Sequence, residues 1–213
     1  MSQASTAPFD AADFQHKAQQ LCDYGKICYE RGWSPATSSN YSIRLNDDLC
    51  ALTSSGKHKG QLTPQDILVV DMQGQAVTQG KPSAETLLHT QLYQFDRTIG
   101  AVLHTHSPNA VLVSHITRAD SLRIEGWELL KALNGITTHD THIDIPVFDN
   151  TQDIAQLAHE VDTVMAKQSI HAYLIRGHGI YTWGRDIEEC FRHLEALECL
   201  MQYELTLRQL PRA

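Results

Sequence analysis

Apolar positions in the first part of the chain recur at helical spacing: Phe14, Leu21, Ile27 and Cys28 share one stripe, Asp10 precedes it as a cap and Gly32 follows it, which predicts a helix over 10–31. Beyond Gly32 the period changes. Short β-rich runs at 41–45, 49–53, 67–71 and 76–78 are separated by Asn46-Asp47-Asp48, Ser54-Ser55-Gly56 and Gln73-Gly74, the turn chemistry of successive short strands. A helix is predicted over 83–95, and then a run of small and apolar residues from Gly100 into His104 reads as a buried strand. Ser107-Pro108, a hydroxyl cap followed by proline in the first turn, opens a helix over 108–116. Further helices are predicted near 127–133 and 153–167, then strands at 172–175 and 180–183 around His178. A long final helix starts from Asp186, with Ile187, Cys190, Phe191, Leu194, Leu197 and Met201 at helical spacing and Glu189 three residues after the cap.

Strands in hairpin-like succession, flanked by helices at both ends, predict an α/β sandwich with a mixed or largely antiparallel sheet between helical layers. The helix–strand alternation is too irregular for a barrel of repeated βα units, and no Gly-x-Gly-x-x-Gly follows the first strand, which excludes a regular dinucleotide fold. No Pro/Gly/Ser-rich linker divides the chain, so residues 1–213 are expected to form one domain, with 1–9 as a flexible lead. That lead has neither a basic region nor an apolar core, and no apolar run has membrane-spanning length; a cytoplasmic protein is expected. The five cysteines, Cys22, Cys28, Cys50, Cys190 and Cys199, are scattered and read as free thiols of a reducing compartment. A net charge of −8 without a basic stripe argues against nucleic acid as a partner, while leaving room for local donors to hold an anionic small molecule.

The chemistry concentrates in a few segments. In Gly100-Ala-Val-Leu-His-Thr-His-Ser-Pro-Asn109, His104 and His106 stand at i and i+2, so on a strand both imidazoles point to one face and converge, two-thirds of a site for zinc or a neighbouring transition metal. The best third ligand is His178, held between Gly177 and Gly179 where the backbone can turn sharply and approach another element. His16, His58, His115, His139, His142, His159, His171 and His193 read mostly as surface or helix residues. Pro35-Ala-Thr-Ser-Ser-Asn-Tyr-Ser42 and Thr53-Ser-Ser-Gly-Lys57 are small, hydroxyl-rich turns able to wrap a phosphate. Ser83 and Glu85 lie at a helix start shortly before the histidine pair, and Glu128 lies between the two histidine segments.

The order Ser-Asn-x-Ser, Thr-x-Ser-Gly, Pro-Ser-x-Glu, His-Thr-His, Gly-His-Gly resembles the class II aldolase family of zinc-dependent sugar-phosphate enzymes over about residues 20–205. The segments around Gly-His-Gly-Ile-Tyr-Thr-Trp-Gly and Trp-Glu-Leu-Leu-Lys-Ala-Leu are most similar to the branch that dehydrates its ketose phosphate rather than cleaving it. The resemblance implies a three-layer α/β/α sandwich, a homo-oligomer, often a tetramer, and one zinc per subunit held by His104, His106 and His178. It places Ser39, Asn40, Ser55, Gly56 and Ser83 in phosphate-binding turns, although Ser39 stands where aldolases often have glycine. Glu85 matches the acid/base carboxylate of the aldolases and Glu128 the one proposed for the dehydratases, so the division of labour between them stays open. An aldolase or epimerase remains the alternative, with deciding residues partly on a neighbouring subunit. A non-catalytic scaffold on the same fold would lack the full histidine triad that this chain keeps.

Overall fold

The computed structural model describes residues 8–211, so most of the expected N-terminal lead lies outside the described residues. The elements run α1 (Ala11–Glu30), β1 (Asn40–Arg44), β2 (Leu49–Thr53), β3 (Ile67–Asp71), α2 (Thr86–Phe95), β4 (Ala101–Thr105), α3 (Pro108–Ile116), β5 (Ser121–Glu125), β6 (His142–Phe148), α4 (Ile154–Met165), β7 (Ala172–Ile175), β8 (Gly179–Gly184) and α5 (Ile187–Gln209). The expected caps are in place. Asp10 accepts from the amides of Ala12 and Asp13, Ser107 from Ala110 and Asp186 from Glu189, each satisfying a donor that the first helical turn leaves free.

The strands form one sheet in the order β3-β2-β1-β4-β8-β7-β6-β5, antiparallel throughout except for β6 beside β7, whose crossover is α4. Alternation along the strands splits the core. Tyr41, Ile43, Ala101, Leu103, Leu174 and Ile180 pack with residues of α1, α3 and α5, while Leu68, Val70, Val102, Tyr173 and Tyr181 pack with residues of α2 and α4. The result is the expected α/β/α sandwich with a mixed, largely antiparallel sheet.

Two local expectations are corrected and one pair of strands is added. Residues 76–78 are not a strand: only an isolated bridge joins Ala76 to Val70, because the segment turns back at once over the edge strand. The predicted helix at 127–133 is a short 3-10 turn, Glu128–Ala132. The hairpin of β5 and β6, which the hydrophobic pattern did not bring out, extends the sheet on the far side; β5 is an edge strand and β6 carries Pro146, so each gives a weak strand signal.

Candidate metal centre

The centre is assembled by cross-strand register. Asn40 on β1 pairs with His104 on β4, and His104 with Tyr181 on β8, so three side chains form a row on the face covered by α2 and α4. His106 follows just past the end of β4, and His178 comes from the β7–β8 turn. Both flanking glycines are required there: Gly177 adopts φ +66°, and a Cβ on Gly179 would lie 2.1 Å from the Thr105 carbonyl oxygen, so only glycine lets β8 approach β4 this closely. Glu85, just ahead of α2, closes the group from above.

Ligand atoms of Glu85, His104, His106 and His178 all lie within 4.8 Å of one another. His106 Nε2 is 2.8 Å from His104 Nε2, Glu85 Oε1 is 3.0 Å from His178 Nε2, and Glu85 Oε2 is 3.4 Å from His104 Nε2. His104 Nδ1 donates to the Ile180 carbonyl at 3.0 Å, which fixes the tautomer and leaves the Nε2 lone pair facing the cluster. His178 Nδ1 is held by Asn150 Oδ1 at 3.3 Å, with the same consequence. Burial pushes His104 down to about 4 and His106 down to about 3, so both imidazoles are neutral and ready to coordinate. Three neutral imidazoles with nitrogens already turned inward, beside a carboxylate that faces them, fit a transition-metal ion.

Burial works to raise the Glu85 carboxyl, while His104 and His178 in their protonated forms and the Asn40 amide donor work to lower it and prevail. Glu85 Oε2 accepts from Asn40 Nδ2 at 2.8 Å and from the Tyr181 hydroxyl at 3.1 Å. Asn40 is itself oriented from behind: its Oδ1 accepts from His89 Nε2, whose Nδ1 meets Ser42 Oγ at 2.7 Å, and Ser42 Oγ in turn meets the Tyr93 hydroxyl at 2.7 Å. Because Oδ1 is committed to His89, the amide nitrogen must face Glu85. Tyr181 also stacks on His104, ring centroids 4.0 Å apart. No motif marks His89 or Tyr181, although His89 lies four residues after Glu85, one helical turn on. His193, a helix residue as expected, is buried on α5 and bridges the Trp183 carbonyl and the Asn134 amide.

A cavity of about 470 Å³ opens onto the cluster, and Ser39, Asn40, Ser55, Gly56 and Ser83 all line it together with Glu85, His106 and His178. Ser39 at φ +72° and Gly56 at φ +73° shape the two turns on its wall. Glu128 stands apart. Its side chain is 70% exposed, paired with Lys131 at 2.6 Å and His139 at 3.3 Å, and it does not line this cavity. Lys131 holds its carboxyl below the ordinary range, the opposite of what a general acid needs. The fold of one chain therefore unites every expected site residue except Glu128.

The sequence profile of the class II aldolase and adducin N-terminal domain family matches residues 19–205. The chain belongs to that family. Among its relatives is a methylthioribulose-1-phosphate dehydratase of Alcanivorax borkumensis, 56% identical, covering 95% of this chain and 97% of the relative. A methylthioribulose-1-phosphate dehydratase of Pseudomonas aeruginosa is 52% identical over 91% of this chain and 96% of the relative. Among solved structures, YgbL of Klebsiella pneumoniae superimposes with a TM-score of 0.79 at 23% identity, covering 91% of this chain and 90% of that one, which establishes the sandwich fold.

Proposed function

We propose that this chain dehydrates 5-methylthioribulose 1-phosphate to 5-methylthio-2,3-dioxopentyl phosphate, a step of methionine salvage, as a cytoplasmic homotetramer with one zinc per subunit. The observation that carries this reading is the inward-turned triad of His104, His106 and His178 beside a cavity walled by hydroxyl and amide groups, in a chain whose full-length relatives bear the dehydratase name. Zinc held by three neutral imidazoles keeps its full charge and supplies Lewis-acid stabilisation of negative charge developing on the ketose oxygens.

The chain's own groups do the rest. Ser39, Asn40, Ser55, Gly56 and Ser83 hold the phosphate and so fix where C3 and C4 of the ketose lie. Glu128, reaching from a neighbouring copy, takes the C3 proton and returns it to the departing C4 hydroxyl as water leaves. Association supports that role. Leu112 and Ile116 on α3 and Tyr203 and Leu207 on α5 are exposed apolar side chains on two helices that pack together, and α5 also contacts the turn that begins with Glu128. Docking there would take Glu128 out of water, the change that would oppose the lowering by Lys131. Glu85, already ionised and fixed by Asn40 and Tyr181, orients the ligand cluster.

One observation favours a second reading: Glu85, not Glu128, is the carboxylate that a single chain places inside the cavity. With Glu85 as the acid/base, the enzyme would break the C3–C4 bond in the aldolase manner. Incubating the zinc-loaded protein with 5-methylthioribulose 1-phosphate decides between them. Release of the diketone phosphate is expected, with fuculose and ribulose phosphates left unconverted; dihydroxyacetone phosphate among the products would overturn the dehydratase reading.

A further inference from the structure

Lys59 is a buried cation that the site described so far does not use. It lies in the 3-10 turn Lys59–Gln61 directly after the 53–57 turn, is 1% exposed, and donates from Nζ to the Lys57 carbonyl at 2.8 Å and to the Thr37 carbonyl at 3.3 Å. No carboxylate lies within 4.0 Å of it among the described residues, whereas neighbouring Lys57 is half exposed and paired with Asp66 at 2.8 Å. An ammonium taken out of water without a counter-ion is strongly disfavoured, and two carbonyl dipoles offset only part of that. Burial pushes Lys59 down to about 8, so it still carries its charge at neutral pH.

The place of this charge is informative. Thr37 belongs to one phosphate turn and Lys57 to the other, so the ammonium ties together, from behind, the two walls between which a phosphate would enter. The cavity lining itself contains hydroxyls, amides, imidazoles and the Glu85 carboxylate, but neither lysine nor arginine. A phosphate dianion entering beside Glu85, in a chain of net charge −8, finds no cationic side chain in front of it.

We propose that Lys59 is the counter-charge of the phosphate cradle, a positioning residue that holds the 37–40 and 53–57 turns at phosphate-binding separation and balances the dianion through them. This rests on reading the cavity as a phosphoketose site, and it assigns to one buried residue a share of the affinity that separates a phosphorylated ketose from the free sugar. Burying the anion near an unpaired cation also removes the penalty that Lys59 carries when the cavity is empty.

Titrating zinc-loaded protein with inorganic phosphate tests it without turnover. Lys59→Gln keeps a donor for the two carbonyls and removes the charge; Lys59→Met keeps the stem and removes both. Phosphate affinity is expected to fall by about tenfold or more in Lys59→Gln and further in Lys59→Met, as loss of a charge-assisted interaction implies. KM for the phosphorylated ketose should rise in parallel, kcat should stay within about twofold because the reacting atoms are untouched, and bound zinc should not change. Ser55→Asp, a like charge in the same turn, should abolish phosphate binding and so marks the cradle as its seat. Phosphate affinity and KM in Lys59→Gln equal to those of the unmodified protein would overturn the role of Lys59. A protein that binds phosphate yet fails to dehydrate the ketose phosphate would instead overturn the functional reading and leave Lys59 in place.

Discussion

The region around Glu85 and the region around Glu128 are built in contrary ways. Glu85 is 13% exposed and meets His104, His178, Asn40 and Tyr181, with a further shell of His89, Ser42 and Tyr93 behind Asn40. Glu128 is 70% exposed on a short 3-10 turn, with a lysine and a histidine for company. A buried carboxylate persists as an ion only if donors surround it, so the Glu85 region must be complete within one chain before any ligand arrives. An exposed carboxylate has no such demand, and a single chain leaves its environment unfinished. The arrangement that fits a metal is thus complete in the folded chain, whereas the proton-transfer group we propose acquires its setting by association.

The largest effect should come from breaking the complete region. Replacing His104 or His178 with alanine is expected to remove nearly all bound zinc and to lower kcat/KM by roughly a thousandfold or more, since the Lewis acid contributes several kcal/mol. The metal-free proteins should unfold like metal-free wild type, because the apolar packing of the sheet lies on both of its faces and not in the cluster. Near-stoichiometric zinc in His178→Ala, by elemental analysis, would remove that residue from the ligand set.

Next in size is Glu128→Gln, which should keep zinc and phosphate affinity but lose about two to four orders of magnitude in elimination, the range of general acid–base catalysis. Mixing sharpens the contrast. If the carboxylate serves a neighbour's metal, oligomers reassembled from equal amounts of Glu128→Gln and His104→Ala chains should regain about a quarter of full activity, the share of sites with both groups intact under random assembly. No recovery would place Glu128 outside the shared site.

The complete region was also the legible one. Two histidines at strand spacing and a histidine between two glycines follow from backbone geometry, so His104, His106 and His178 could be read from residue order alone, as could the hydroxyl turns now found on one cavity wall. His89 and Tyr181 escaped because their roles depend on pairing between distant strands and a helix: nothing near His89 in sequence shows that Asn40 will lie against it. The β5–β6 hairpin escaped for a local reason, an edge strand and a proline-bearing partner with little strand propensity between them. Lys59 reads in sequence as one more polar residue of a loop, and only burial reveals it.

A smaller loss is expected at Glu85. Glu85→Gln preserves shape and the Asn40 and Tyr181 neighbours but removes the charge facing His104 and His178, so zinc affinity and turnover should fall about 10- to 100-fold, the usual consequence of disturbing groups that orient metal ligands. Abolished turnover in Glu85→Gln with Glu128→Gln near wild type would reverse the two roles and make the chemistry that of an aldolase.

The smallest effect concerns His89 and appears in stability rather than turnover. Burial pushes its imidazole down to about 3, against about 6.5 in the unfolded chain, so the unfolded state takes up a proton that the folded state refuses. The sign follows. Stability is unaffected above pH 6.5 and is lost progressively as pH falls from there toward 3, by roughly 2 kcal/mol at pH 5 from this one group. His89→Gln, which offers an amide donor to Asn40 without a titrating nitrogen, should have a lower Tm than wild type at pH 8 but a shallower decline between pH 8 and pH 5, measured on metal-free protein so that ligand protonation does not intrude. Parallel Tm curves for the two proteins would show that His89 accepts its proton without unfolding, and that the support behind Asn40 is looser than its hydrogen bonds indicate.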